Sequence, residues 1–194
     1  RERDPDAAIL YVGAKGGMEE KLVPKAGFDF KSVTISGFQR KPSWTNLKKN
    51  VKTTIHLFTS TAEAKRIIQE FHPDICIGTG GYVSGPGIRG AMKLGIPSLI
   101  HEQNAFPGVT NKALSKKAAY TMLAVQDAKK FLPAAARCVL TGNPVRPAVL
   151  RAERDASRKK LGLDERPLIL SFGGSLGARR VNEAVADLLA WSAK

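Results

Sequence analysis

The stretch "FHPDICIGTGGYVSGPGIRGAMKLGIPSLIHEQN", residues 71–104, decides how the chain folds. Two short apolar runs, "DICIGTG" (74–80) and "PSLIHE" (97–102), enclose a helical pattern over Pro86–Leu94. A strand, a crossover helix and a second strand make a parallel pair, since an antiparallel pair needs only a short turn. The first strand ends in glycines and the second in His-Glu-Gln-Asn. Both loops therefore fall at the carboxyl edge of the strands, where open α/β sheets bind their ligands.

The same alternation continues outward. Further strands are expected at "AAILYVG" (7–13), "FDFKSVTI" (28–35), "YTMLAV" (120–125), "CVLTG" (138–142) and "PLILSFG" (167–173). Helices are expected at Met18–Lys25, Trp44–Phe71, Thr110–Lys117 and Ala178–Trp191, the last with Val181, Val185, Leu188 and Leu189 on one face. Near-continuous apolar strands need cover on both faces, so the fold class is α/β with doubly wound parallel sheets. Prolines in "GNPVRPAVL" mark a boundary that separates residues 1–146 from 147–194. The second part holds too few elements to close a sheet, and the first begins without a leading strand, so the chain reads as a fragment.

Composition narrows the class. The 194 residues are 43% hydrophobic, enough for a packed core. Cys76 and Cys138 lie far apart, without the CxxC or histidine spacing of a zinc site, which reads as buried free thiols in a reducing cytoplasm. The net charge of +14 calls for an anionic partner, whether nucleic acid, anionic lipid or a diphosphate ester. The basic residues form no tract and accompany no nucleic-acid-binding motif, so no nucleic acid is expected. The DxD-like string Asp4-Pro5-Asp6 precedes a strand and reads as a turn, and no metal or cofactor is expected.

Glycine loops that follow a strand and open a helix suit anions, because helix-terminal N–H groups and the helix dipole point at the ligand. "GTGGYVSGPG" (78–87) is one. "SFGGSLGARR" (171–180) is the other, where Gly173 and Gly174 permit close approach, Ser175 supplies a hydroxyl and Gly177 lets the helix pack on the sheet. Neither satisfies GxGxxG or the Walker A pattern. His101, Glu102 and Asn104 end the strand between them, and His101 and Glu102 are the two candidates for a catalytic base. Taken singly, His101 reads as a structural histidine and Glu102 as a helix-capping or surface carboxylate.

In order along the chain, "GTGGYVSGPG", "GIPSLIHEQN", "TNKALSKKA", "GNPVR" and "FGGSLGAR" resemble the MurG family of bacterial glycosyltransferases, and the likeness runs from "AILYVGAKGGMEEKLVPKAG" to the last helix. The resemblance implies a GT-B architecture, two Rossmann-like doubly wound domains, both incomplete here. It implies transfer of N-acetylglucosamine from UDP-N-acetylglucosamine to lipid I, giving lipid II for peptidoglycan and so serving cell shape and division. It further implies donor contacts by Asn104, Arg146 and Ser175, and an acceptor-diphosphate loop at Gly80, Gly81, Tyr82, Ser84 and Gly85. An Arg fork and a Ser hydroxyl suit diphosphate oxygens, and an Asn amide suits sugar hydroxyls. Leu176 stands where the family has Gln, which removes one side-chain amide. The family's upstream "GGTGGH" loop and the later part of its donor domain are not in these residues, so no turnover by this chain alone is expected.

The family also implies a peripheral protein on the cytoplasmic face of the bacterial plasma membrane. Trp44, Leu47 and Val51 recur at helical spacing beside Lys48, Lys49 and Lys52, a pattern that fits a core-facing helix or contact with an anionic membrane surface. Competing readings are a related glycolipid synthase, an NAD-dependent oxidoreductase and a non-enzymatic basic module that binds membrane or nucleic acid.

Overall fold

Among the described residues of 4–144 six strands form, all paired in parallel: β1 (Leu10–Ala14), β2 (Asp29–Val33), β3 (Cys76–Gly78), β4 (Ser98–Glu102), β5 (Tyr120–Leu123) and β6 (Cys138–Leu140). The computed structural model describes residues 4–35, 59–173 and 178–192, which fall into two compact units, Arg1–Pro144 and Val145–Lys194. In the first unit α1 (Glu19–Lys25), α2 (59–71), α3 (Gly81–Lys93) and α4 (Val109–Ser115) alternate with the strands, and a 3₁₀ turn (Gln126–Phe131) joins β5 to β6.

The described strands make two sheets rather than one, β1-β2 and β3-β4-β5-β6. Helix α3 serves both. Its Val83 packs on Val33 of β2 and on Ala64 and Ile67 of α2, while its Ile88 packs on Ile100 of β4 and Leu114 of α4. Glu63 of α2 accepts a 2.7 Å hydrogen bond from the N–H of Thr34, which ties the end of β2 to that helix. Alternation along β4 sends Ile100 and Glu102 to one face and His101 to the other, and all three are buried.

Three expectations are corrected. Helix α3 starts at Gly81, not Pro86, so Gly81, Tyr82, Ser84 and Gly85 belong to its first two turns. Pro86 marked the start in the sequence because proline favours a first helical position; here it sits inside, where it donates no hydrogen bond to the Tyr82 carbonyl. Residues 167–173 form no strand, and Leu168, Ile169, Leu170 and Phe172 are exposed, since no strand among the described residues pairs with them. Cys76 and Cys138 are free but half-buried, and burial raises the pKa of the Cys76 thiol. The turn expected at Asp4–Asp6 is present, closed by the N–H of Asp6 on Asp4 Oδ1 at 3.2 Å.

The second unit contains α5 (Pro147–Leu150), α6 (Arg154–Lys160) and α7 (Arg179–Ser192), none with a buried residue. Arg158 Nη2 donates to the carbonyls of Asp164 and Arg166 and so closes the loop after α6. The apolar face expected on α7 is there, but Val181, Leu188, Leu189 and Trp191 are exposed.

His72 ends α2 with φ 52°, the one non-glycine residue with positive φ among those described, and its N–H reaches the Ile68 carbonyl at 2.9 Å. That is the left-handed cap position glycine normally fills. Replacing this exposed histidine by glycine relieves the Cβ penalty at some cost in unfolded-chain entropy, and urea denaturation is expected to show a net gain of about 0.5 to 1 kcal/mol.

Candidate functional site

The two loops singled out in the sequence lie side by side because β3 and β4 are hydrogen-bonded neighbours. Gly80 is the N-cap of α3, with φ 90° and ψ −166°, a conformation open essentially to glycine alone. A Cβ on Gly80 would stand 3.3 Å from Asn111 Nδ2 and 3.7 Å from Gln103 Oε1, so the loop runs directly against the segment that follows β4. Gln103 completes the link by donating from Nε2 to the Thr79 carbonyl at 3.0 Å.

The amino end of α3 contrasts with that of α1. In the β1–α1 turn, Glu19 and Glu20 reach back to the N–H groups of Ala14 and Gly16 at 3.0 and 2.7 Å, so that turn already carries its own anions. The amino end of α3 has no acidic residue in its first turn and no side-chain cap. Its first-turn amides and the positive end of the helix dipole are left to a ligand, and the chemistry they favour is that of an anion.

Glu102 organises the neighbouring loop. It is 1% exposed, and its carboxylate takes four hydrogen bonds: Asn104 N–H and Asn104 Nδ2 on Oε1, both at 3.0 Å, then Gly108 N–H at 3.0 Å and Asn111 Nδ2 at 2.8 Å on Oε2. Burial raises its pKa, but the bonds from Asn111, Gly108 and Asn104 outweigh burial, and the net effect holds it below the ordinary 4.5. Asn111, 2% exposed, also donates to the His101 carbonyl at 3.1 Å.

His101 has both ring nitrogens engaged. Nε2 lies 2.9 Å from the Gly142 carbonyl, and Nδ1 lies 2.9 Å from Gln103 Nε2. A carbonyl only accepts and an amide nitrogen only donates, which puts the ring proton on Nε2. The side chain thus ties β4 to the end of β6.

Of the residues read as ligand contacts, Asn104 is exposed, with one amide hydrogen committed to Glu102 and its amide oxygen and second hydrogen left for a partner. Gly81 and Tyr82 are exposed at the amino end of α3, Ser84 is half-buried and Gly85 is buried, its Cβ position 3.5 Å from Thr110 of α4. Arg146 belongs to the second unit, where it is exposed and stands as the N-cap of α5. Gly173 is exposed, while Gly174, Ser175 and Gly177 lie outside the described residues, as do Trp44, Leu47, Lys48, Lys49, Val51 and Lys52. Gln103 and Asn111, which hold the site together, did not stand out in the sequence. The signal available for Asn111 was an amide in the first turn of a helix, in the quoted "TNKALSKKA".

Residues 1–123 match the glycosyltransferase family 28 N-terminal domain. The chain belongs to that family. It is 45% identical over 190 residues to a UDP-N-acetylglucosamine--N-acetylmuramyl-(pentapeptide) pyrophosphoryl-undecaprenol N-acetylglucosamine transferase of Acetivibrio thermocellus, covering 97% of this chain and 50% of that protein. It is 45% identical over 188 residues to the enzyme of the same name from Clostridioides difficile, covering 95% and 45%. Among solved structures it is similar to MurG of Acinetobacter baumannii, with 30% identity, a TM-score of 0.55, and coverage of 74% of this chain and 39% of the other. The chain therefore spans about half the length of the curated relatives it matches. The family 28 membership and the parallel α/β fold agree with the resemblance read from the motifs.

Proposed function

We propose that the complete polypeptide is an inverting glycosyltransferase that moves N-acetylglucosamine from UDP-N-acetylglucosamine to the hydroxyl of lipid I, a muramyl-pentapeptide diphosphate lipid, in peptidoglycan synthesis. The observation that carries this reading is the uncapped amino end of α3 set against the Glu102 network that presents Asn104. The names of the relatives supply the donor and the acceptor. In the reaction the acceptor oxygen forms a bond to the anomeric carbon as the bond to the UDP oxygen breaks, and the acceptor proton passes to a base. Main-chain amides at Gly81, Tyr82 and Val83 stabilise diphosphate charge; Arg146 and the loop at Ser175 act on the donor diphosphate. Removing one such preorganised donor costs about 2.7 to 4 kcal/mol of barrier.

Glu102 and His101 act in this scheme as positioning residues, because their polar atoms are already engaged. The enzyme works as a peripheral protein at the cytoplasmic face of the membrane, through which it serves cell shape and division. Among the described residues no helix is long and apolar enough to cross a membrane.

Thermal denaturation of the complete polypeptide tests the reading. UDP-N-acetylglucosamine is expected to raise the melting temperature while NAD leaves it unchanged, and radiolabelled sugar is expected to move to a lipid I analogue. Equal protection by NAD, or sugar-nucleotide binding with no transfer to any diphosphate lipid, would discard it.

A further inference from the structure

We propose that the cavity between Lys15, the end of β2 and α2 holds the peptide arm of the acceptor, with the Lys15 ammonium on its free carboxylate. The proposal rests on the transferase reading above and gives a place to a part of the acceptor that the two loops leave unassigned. The cavity measures about 540 Å³, the size of a site for a small ligand or a few residues of peptide. Lys15 follows β1 directly and Thr34 follows β2, so the cavity lies at the carboxyl edge of these strands. That edge is level with the amino end of α3, because Val83, in the first turn of α3, packs on the cluster of Val33, Ala64 and Ile67, and Val33 is the last residue of β2. Ile67 belongs to both places: it also lines the cavity.

The lining selects the ligand. Ile67 is a buried apolar wall, Ser32 and Thr34 carry hydroxyls that suit peptide N–H and carbonyl groups, and the lining has no aromatic ring for a base to stack on. The charges there do not cancel. Glu63 already accepts the N–H of Thr34 at 2.7 Å, and Glu70 is shared by Arg66 at 3.2 Å and Lys31 at 3.8 Å. Lys15, exposed at the rim, has no ion-pair partner among the described residues and is free for an incoming carboxylate. A diphosphate fits less well, since the uncapped amino end of α3 offers it several N–H donors where the cavity offers one free ammonium. On the acceptor, the diphosphate, the attacking hydroxyl and the peptide leave one sugar at different positions. With the diphosphate at the amino end of α3 and the hydroxyl directed to the donor at Asn104, on the β4 side, the β2 side is left for the peptide. A peptide joined to the muramyl acyl group by its amino end keeps its terminal carboxylate free.

Steady-state transfer of radiolabelled sugar by the complete polypeptide, at low ionic strength, tests the proposal with a lipid I analogue carrying the full peptide and the same analogue amidated at its terminal carboxylate. Lys15→Ala is expected to raise KM for the carboxylate acceptor about fivefold, the effect of one exposed charge pair. Amidation is expected to do the same to the parent and to add nothing in the variant. Ala62→Trp, which narrows the cavity from α2, is expected to raise KM for the full-peptide analogue and not for one whose peptide is cut to a single residue. If Lys15→Ala disturbs folding, Ala62→Trp decides. A KM shift below about 1.5-fold, or an equal loss on carboxylate and amidated acceptors, overturns the proposal and leaves the transferase reading in place. Inorganic phosphate that inhibits the parent but not Lys15→Ala, with no dependence on the peptide, assigns the cavity to free phosphate and overturns the proposal too. A parent that transfers sugar to none of the analogues overturns the transferase reading and this inference with it.

Discussion

Glu102→Gln is expected to lower the stability of the first unit by about 2 to 4 kcal/mol, because a buried acceptor that serves four donors becomes a group with one acceptor and one donor end. Whichever way the new amide turns, its NH₂ confronts either the two donors of Asn104 or those of Gly108 and Asn111. The pH dependence follows from the same network. The folded pKa of Glu102 lies below its ordinary 4.5, so its contribution is complete above that value and is lost as the pH falls through the folded pKa. The parent is therefore expected to lose melting temperature below about pH 4.5 through this group, a component that the glutamine variant lacks. Chemical denaturation and melts across the acid range measure both effects. In the complete polypeptide the variant's activity is expected to fall with KM for the sugar nucleotide raised, since Asn104 loses its support. A glutamine variant as stable as the parent, which had lost only kcat and the acid limb of its pH profile, would make Glu102 the base and not the brace.

The parallel strands of the first unit were readable because their apolar runs are short, nearly continuous and punctuated by glycine and proline; β2 to β6 fall within the runs read from the sequence, and β1 runs one residue past its own, to Ala14. The start of α3 was misread by five residues for a physical reason. Pro86 is a strong start signal, and the glycines before it are poor helix formers, yet packing of Val83 and Ile88 into two different clusters holds them in helix. The seventh run, 167–173, has strand composition but no neighbour among the described residues, and pairing, not composition, makes a strand. At the site, loop placement was legible from the strand ends, while the division of labour was not. Nothing in the string His-Glu-Gln-Asn says that the carboxylate is saturated by Asn104, Gly108 and Asn111, because those bonds depend on where α4 returns to the sheet.

Gly80→Ala is expected to damage the site far more than the addition of one methyl group usually does. Two penalties combine. The backbone at φ 90° and ψ −166° costs a residue with a side chain about 1 to 3 kcal/mol. The new methyl also stands 3.3 Å from Asn111 Nδ2, an atom held by the His101 carbonyl and Glu102 that cannot retreat without loosening both. Gly81 separates the two effects: its φ is 73°, but a methyl there meets nothing within 4 Å, so Gly81→Ala pays for backbone strain alone. Gly80→Ala is therefore expected to be the more destabilising and to weaken sugar-nucleotide or diphosphate binding by tenfold or more, about 1.4 kcal/mol, because the first-turn amides of α3 turn with the cap. A double-mutant cycle with Asn111→Ala isolates the contact. If crowding matters, Gly80→Ala costs less by about 0.5 kcal/mol or more once the amide is gone. An equal cost in both backgrounds would leave strain as the sole cause, and the Gln103 bond to the Thr79 carbonyl would then be what ties the glycine loop to the segment after β4.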